Sequence, residues 1–217
     1  MSFRVVYGRA GTGKSKFCFD EIKKLSKNQG QKIYIIVPEQ FSYATEKRLL
    51  DTLDENATVN VEVISFKRLA YRIAKEVGEK RVALTKTAKA MLIKYIVDKN
   101  KDDLNFLAKA NDIDLVLRTI TEFKKHNIDI SLLKNQIEKT ENKLLKLKLE
   151  DIEKIYSKYQ EAIEKSFIDE EDMLTILAKN ISKTDMFDNA LVYLDEFAGF
   201  IPQEYLIIEE ILKKQIK

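Results

Sequence analysis

The chain has a single cysteine, Cys18, and a single histidine, His126, among its 217 residues. A lone cysteine cannot form a disulfide within the chain, and it fits the reducing cytosol. One cysteine and one histidine also fall short of the ligands that a zinc or iron–sulfur site needs. These shortages argue against a disulfide-bonded secreted protein and against a metal site of either kind within this sequence.

Long apolar runs, the helix-breaking residues glycine and proline, and excess charge of one sign are also scarce. No eighteen consecutive residues are apolar, so no membrane-spanning helix is predicted, and residues 1–8 are too short for a signal peptide. Glycine and proline number only six and two, and neither a low-complexity linker nor a solenoid repeat is present. The net charge of +3 permits nucleic-acid binding without arguing for it. We therefore expect a cytoplasmic protein with one large domain or two small ones.

The first part of the chain alternates strand and helix patterns. Strands are predicted at 3–7, 31–37 and 59–64, and helices at 14–27, 41–53 and 66–77. The apolar run Ile33-Tyr34-Ile35-Ile36-Val37 suits a strand that is covered on both faces of a parallel sheet. This alternation predicts an α/β fold with helices on the faces of a parallel sheet.

The middle of the chain has almost no strand signal. Thr85 is a candidate cap for a helix whose apolar face contains Ala88, Met91, Leu92, Tyr95 and Ile96. A second apolar face contains Ile113, Val116, Ile120 and Phe123, and a third has heptad spacing through Leu145, Leu149, Ile152, Tyr156, Tyr159 and Ile163. A packed helical hairpin is favoured over an intermolecular coiled coil.

A strand at 190–194 and a helix at 204–214 return the chain to the α/β pattern. The simplest organisation is one α/β domain, formed by 1–78 and 187–217, that a helical subdomain at 79–186 interrupts.

The strongest motif is a phosphate-binding loop, G-x-x-x-x-G-K-S, with a predicted strand before it and a predicted helix after it. Its glycines let successive backbone N–H groups point at phosphate oxygens, and the following helix adds its positive end. Lys14 would reach the β- and γ-phosphates, and the Ser15 hydroxyl would ligate Mg²⁺. The predicted nucleotide site is Gly8, Arg9, Ala10, Gly11, Thr12, Gly13, Lys14 and Ser15.

An acidic pair, Asp195-Glu196, follows the last predicted strand. Phosphoryl transfer needs one carboxylate for the magnesium shell and a second group that orients water. Asp195 fits the first role and Glu196 the second, although such a pair can also merely open a loop. A second acidic run, 169–172, is better explained as carboxylates at a helix N-terminus than as a metal site.

Two polar segments follow the second and third strands, where ligands gather in open parallel sheets. They supply candidate contacts to nucleotide or nucleic acid: Gln40, Ser42, Ser65, Phe66, Lys67 and Arg68. The alternative is ordinary helix capping by Ser42 or Ser65, with Phe41 and Phe66 buried.

The order of these motifs resembles superfamily I helicases of the UvrD/RecB kind, with a P-loop, RecA-like sheet. Three segments are more closely similar to the N-terminal part of the AddB family, the B subunits of bacterial ATP-dependent helicase/nucleases. They are Val37-Pro38-Glu39-Gln40-Phe41-Ser42, Val63-Ile64-Ser65-Phe66-Lys67-Arg68-Leu69-Ala70-Tyr71-Arg72 and Phe197-Ala198-Gly199-Phe200-Ile201-Pro202-Gln203-Glu204. The resemblance covers essentially the whole chain.

The resemblance implies ATP and Mg²⁺ as cofactors, an A-type helicase/nuclease subunit as partner, and single-stranded and duplex DNA ends as substrates in recombinational repair. It implies no membrane and a bacterial cytoplasm. An iron–sulfur cluster and a nuclease are expected only in a C-terminal part that this sequence does not contain. The segments around Pro38–Ser42 and Ser65–Arg68 are expected to touch or adjoin single-stranded DNA.

Two departures limit the expected activity. Ala198 stands where superfamily I motors usually have a glutamine that couples nucleotide to DNA, and the second motor domain with its arginine is absent from this sequence. We therefore expect ATP binding with weak hydrolysis. A small-molecule P-loop kinase and a non-catalytic nucleotide-binding scaffold stay open as alternatives.

Overall fold

A computed structural model of the protein describes residues 3–28, 30–54, 58–109 and 113–215. The chain divides into two compact units. Unit 1 comprises Met1–Gly78, Leu174–Phe200 and Glu204–Lys217, and unit 2 comprises Glu79–Met173 with Ile201–Gln203. The chain returns from unit 2 to unit 1 after Met173, whereas the sequence placed the end of the helical subdomain at residue 186. The assignment of these units as an α/β motor domain and its helical insertion stays a prediction.

In chain order, the helices and strands are α1 (Lys14–Leu25), β1 (Ile33–Ile36), α2 (Ser42–Leu53), β2 (Val61–Ile64), α3 (Phe66–Glu76), β3 (Val82–Ala83), α4 (Lys86–Lys99), α5 (Ile113–Lys125), α6 (Ile130–Lys139), α7 (Lys143–Ile163), β4 (Phe167–Ile168), α8 (Glu170–Asn180), β5 (Leu191–Leu194) and α9 (Pro202–Gln215). No helix in the described ranges combines the length and the apolar character that a membrane crossing requires.

Unit 1 is built on a three-stranded parallel sheet in the order β2–β1–β5. Ile36 at the end of β1 pairs with Ile64 on one side and with Leu194 on the other, so the three strands end level with one another. All four residues of β1 are buried, as the continuous apolar run predicts for a central strand. The predicted α/β fold with a parallel sheet is confirmed.

Alternate residues of β1 face opposite sides of the sheet. Ile33 and Ile35 share a core with residues of α1 and α2, among them Phe19, Ile22 and Leu49. On the other side, the Tyr34 ring meets the Phe187 ring edge-on with centroids 5.5 Å apart.

The strand predicted at 3–7 is wrong. This segment forms no strand, and Phe3, Val5 and Tyr7 are 69%, 63% and 91% exposed. Strand propensity needs a neighbouring strand that can accept its hydrogen bonds, and within the described residues none pairs with this segment. It is held to α1 by side chains instead, because Arg4 pairs with Glu21 and lies over the Phe17 ring.

Unit 2 is a helical assembly around a core contributed by α4, α5, α6 and α7. The predicted face of α5 is confirmed by Val116 and Ile120, which are buried, and Thr85 caps α4 by accepting from the Ala88 N–H. A short parallel pair of strands, β3 with β4, was not predicted from the sequence. Two residues per strand are too few for a periodic signal.

The predicted apolar face of α4 is wrong in part. Ile96 is buried as predicted, but Met91 and Tyr95 are 69% and 60% exposed, and Ile93 and Val97, which were not predicted, are buried. The helix is apolar at most positions from Ala90 to Val97, so its sequence does not favour one face, and packing decides which side is covered.

The heptad pattern of α7 is followed only in part. Ile152, Tyr156, Tyr159 and Ile163 are buried in the unit 2 core, but Leu145 is 48% exposed. Leu133 and Ile137 of the preceding helix α6 belong to the same core, so these two consecutive helices pack against each other.

Candidate nucleotide and nucleic-acid site

The predicted phosphate loop is a tight turn that opens directly into α1. Gly11 and Gly13 have φ of +78° and +86°, a region that residues with a side chain rarely adopt. A Cβ added to Gly8 would lie 2.7 Å from Thr12 Oγ1, and Thr12 in turn donates from Oγ1 to the Arg9 carbonyl over 2.8 Å. Gly11 and Gly13 therefore allow the left-handed backbone of the turn, and Gly8 allows Thr12 to pack closely against the loop backbone.

The start of α1 suits an anion. No side chain caps this twelve-residue helix, so the N–H groups of its first turn are available beside its positive end. The Lys14 ammonium donates to the carbonyls of Gly8 and Arg9 over 2.9 and 3.0 Å, which folds it back over the loop. The donors present therefore suit a phosphate group.

Asp195 and Glu196 follow β5 directly, at the edge where the three strands end. The Asp195 N–H donates to the Ile36 carbonyl over 3.2 Å, which holds this residue against the end of the central strand. Glu196 has φ of +64°, and its N–H donates to Asp195 Oδ1 over 2.9 Å. A positive φ is uncommon for a non-glycine residue and is often found at functional turns.

The charge of Asp195 acts on α1. Burial raises the pKa of the Cys18 thiol, and the negative charges of Asp195 and Glu21 raise it further. The raised pKa keeps the half-buried Cys18 thiol protonated, which argues against a reactive thiol.

The six candidate DNA contacts divide by exposure. Gln40, Lys67 and Arg68 are exposed, whereas Ser42, Ser65 and Phe66 are buried. Ser65 caps α3 by accepting from the Arg68 N–H over 3.2 Å, and the Phe66 ring packs 5.5 Å from the Phe197 ring. Capping and packing thus account for Ser65 and Phe66, whereas Ser42 makes no capping hydrogen bond and its hydroxyl is buried without a partner.

The acidic run at 169–172 belongs to a different part of the structure. Glu170, Glu171 and Asp172 form the first turn of α8, as their sequence pattern predicts. Asp169 and Asp172 both pair with Lys124, and Asp169 and Glu171 both pair with Lys89. Among the described residues, no group of three or more His, Cys, Asp and Glu side chains is arranged to hold a metal ion.

A family model described as "ADDB, N-terminal" matches residues 5–217. The chain belongs to the AddB N-terminal family. It is 40% identical over 223 residues to the B subunit of an ATP-dependent helicase/deoxyribonuclease from Clostridium botulinum strain Hall, and 42% identical over 226 residues to the same-named protein of Clostridium tetani. Each alignment covers 100% of this chain but only 19% or 20% of the relative, so the chain spans about a fifth of the length of these curated relatives.

The AddB family match contains every predicted site residue, from Gly8 to Glu196. Three charged residues beside that site were not predicted. Arg48 of α2 lies 3.7 Å from Glu196 and stacks over the Phe19 ring, and Glu39 and Glu46 both approach Arg68. Glu39 follows β1 closely in the sequence, which was a usable signal, but no local pattern marks Arg48 or Glu46.

Proposed function

We propose that this AddB-family chain is a P-loop, RecA-like nucleotide-binding domain interrupted by a helical subdomain. The observation that carries the proposal is the glycine loop, with Gly11 and Gly13 at positive φ, which opens an uncapped helix in the unit that holds the parallel sheet. An anion bound there gains the N–H donors and the positive end of α1.

The chemistry proposed for the site is that of ATP with Mg²⁺. Lys14 exchanges its two loop carbonyls for the phosphate oxygens of the nucleotide. Ser15 and Asp195 would hold the magnesium ion, which would supply charge neutralisation at the phosphates when bound. Glu196 orients water for attack on the terminal phosphate.

Turnover is expected to be weak. Arg48 Nη1 lies 3.7 Å from Glu196 Oε1, so an ion pair with Arg48 competes with water for this carboxylate. Ala198 offers no amide side chain to link nucleotide state to DNA. These two features also favour the second candidate, a scaffold that binds nucleotide without hydrolysing it.

The proposed role of the subunit is to process DNA ends during double-strand-break repair, together with an A-type helicase/nuclease subunit. The support is the family and the names of the relatives, which describe part of a helicase and deoxyribonuclease. Gln40, Lys67 and Arg68, the three exposed members of the six candidate residues, are the proposed DNA contacts. The exposed Lys67 and Arg68 are the ones suited to phosphate.

The test is ATP binding by this chain, measured by calorimetry with and without Mg²⁺, for the natural chain and for Lys14→Ala. Lys16→Ala, an exposed lysine of the same helix, is the matched control. We expect Mg²⁺-dependent binding that Lys14→Ala weakens by at least about tenfold and that Lys16→Ala preserves. Equal binding by all three chains, or binding by none, would reject the proposed nucleotide site.

Phosphate release, measured with and without single-stranded DNA, separates the two candidates. A slow release that DNA stimulates and Glu196→Gln abolishes supports the motor domain. Binding with no release above the Glu196→Gln level supports the scaffold.

A further inference from the structure

Arg68 lies between two carboxylates at the edge where the strands of unit 1 end. It belongs to the first turn of α3, which follows β2. Its Nε is 3.8 Å from Glu39 Oε1, and its Nη1 donates to Glu46 Oε1 over 3.3 Å. Arg68, Glu39 and Glu46 have side chains that are 53%, 53% and 45% exposed, so the cluster faces solvent.

The Glu39 carboxylate also contacts Ser65, the residue that caps α3. The Ser65 hydroxyl donates to Glu39 Oε2 while it accepts from the Arg68 N–H. Glu39 follows β1 and Glu46 lies on α2, so two neighbouring segments each deliver a negative charge to one guanidinium.

A guanidinium uses the same N–H donors for a carboxylate as for a phosphate, with similar geometry. A DNA phosphate that approaches Arg68 must therefore displace Glu46 or Glu39, and it must also approach their negative charges. Exposed ion pairs of this kind are weak, so an incoming phosphate can displace them, but only with a measurable loss of affinity.

We propose that Glu39 and Glu46 act as intramolecular competitors for DNA phosphate at Arg68. The proposal rests on the proposed DNA-binding function, because it requires Arg68 to contact the DNA backbone. In the free chain the two carboxylates occupy the guanidinium, and DNA binding exchanges them for a phosphate. The two carboxylates thus lower the affinity of this edge for a DNA strand whose phosphate contacts Arg68.

The experiment measures binding of a fluorescein-labelled oligothymidine to the chain by fluorescence anisotropy at low salt. Glu46→Gln removes one competitor, and we expect it to tighten binding by ~2- to 5-fold. Any Glu→Gln change removes one negative charge and so raises the net charge by one. Glu62→Gln is therefore the matched control. Glu62 is similarly exposed and pairs with another arginine of α3, Arg72, so its removal also frees a guanidinium. We expect that control to change the affinity by much less.

A double-mutant cycle locates the effect. In an Arg68→Gln background, Glu46→Gln should act no more strongly than Glu62→Gln, because the group that the carboxylate competes for is gone. Tightening that persists in this background, or equal effects of Glu46→Gln and Glu62→Gln in the natural chain, would overturn the competition.

The cycle also separates this inference from the function on which it rests. Binding that Arg68→Gln weakens, with the two glutamate variants alike, rejects the competition and keeps the DNA contact. Binding that Arg68→Gln leaves unchanged, or no binding by any variant, rejects the DNA contact at Arg68 and the competition with it.

Discussion

The Tyr159 hydroxyl donates a hydrogen bond of 2.6 Å to Asp169 Oδ1, and both side chains are almost completely buried. The same carboxylate pairs with Lys124 and lies 3.2 Å from Lys89. Burial tends to raise the pKa of Asp169, but the Lys124 charge and the hydrogen bonds from Lys124 and Tyr159 outweigh it and hold the pKa below its ordinary value. Asp169 is therefore a buried carboxylate that stays ionised because of its partners.

Replacement of a partner of Asp169 should destabilise the protein by amounts that follow the charge lost. Lys124→Met leaves the buried carboxylates short of one cation and is expected to cost about 3–5 kcal/mol of unfolding free energy. Tyr159→Phe removes one hydrogen bond to a charged group and is expected to cost about 1–3 kcal/mol. Urea unfolding followed by circular dichroism measures both values.

Lys125→Met is the control for this pair of substitutions. Lys125 is the next residue of α5, and its ammonium pairs with Glu122 on the surface. It should change stability by less than about 0.5 kcal/mol. A cost for Lys125→Met similar to that for Lys124→Met would show that helix propensity, not the buried cluster, sets the effect.

The ion pairs between the acidic run 169–172 and its two lysine partners could be predicted from the sequence only in part. The run 169–172 was correctly placed at the start of a helix, because carboxylates favour that end. Its lysine partners lie far away along the chain, and Lys89 and Lys124 look like other surface lysines in the sequence. The phosphate loop is the opposite case, because its contacts stay within residues 8–17 and its pattern is local. The Arg48–Glu196 pair needs tertiary structure and was missed for the same reason as the cluster.

The pair formed by Glu79 and Arg81 should give the protein an acid-sensitive part of its stability. Hydrogen bonds from the Arg81 side chain and backbone lower the pKa of Glu79 from 4.5 to about 2. The folded state therefore holds the carboxylate ionised at pH values where the unfolded chain protonates it. This contribution is fully present above about pH 4.5 and is lost as the pH falls through about 2.

Glu79→Gln should remove that dependence. The variant is expected to be less stable than the natural chain by about 1 kcal/mol at pH 7, since the pair lies near the surface. The difference should shrink as the pH falls from about 5 towards 2. Urea unfolding of both chains at several pH values measures it, and a difference that stays constant or grows on acidification would contradict the assigned pKa.

Two apolar residues of α7 should respond very differently to truncation. Ile155 is 1% exposed within the unit 2 core, whereas Leu145 lies in the same helix with 48% of its surface exposed. Ile155→Ala is expected to cost about 2–5 kcal/mol, and Leu145→Ala less than about 0.5 kcal/mol. Unfolding free energies of the chain decide between this and the heptad pattern that the sequence suggests, which places Leu145 on the buried face and so predicts a cost of about 2–5 kcal/mol for Leu145→Ala.

The glycines of unit 1 offer a matched test of the phosphate loop. Gly13 has φ of +86°, and an added Cβ would meet no atom within 4 Å, so Gly13→Ala brings backbone strain without a clash. That strain of about 1–2 kcal/mol opposes the loop conformation, and it should weaken ATP binding by ~5- to 30-fold. Gly199 also has open space around it but is not at positive φ, so Gly199→Ala should leave binding within about twofold. Calorimetric titration with Mg-ATP compares the affinities of the two variants. Equal losses of affinity would mean that any added methyl group disturbs the site. A loss confined to Gly13→Ala would tie nucleotide binding to the left-handed turn before α1.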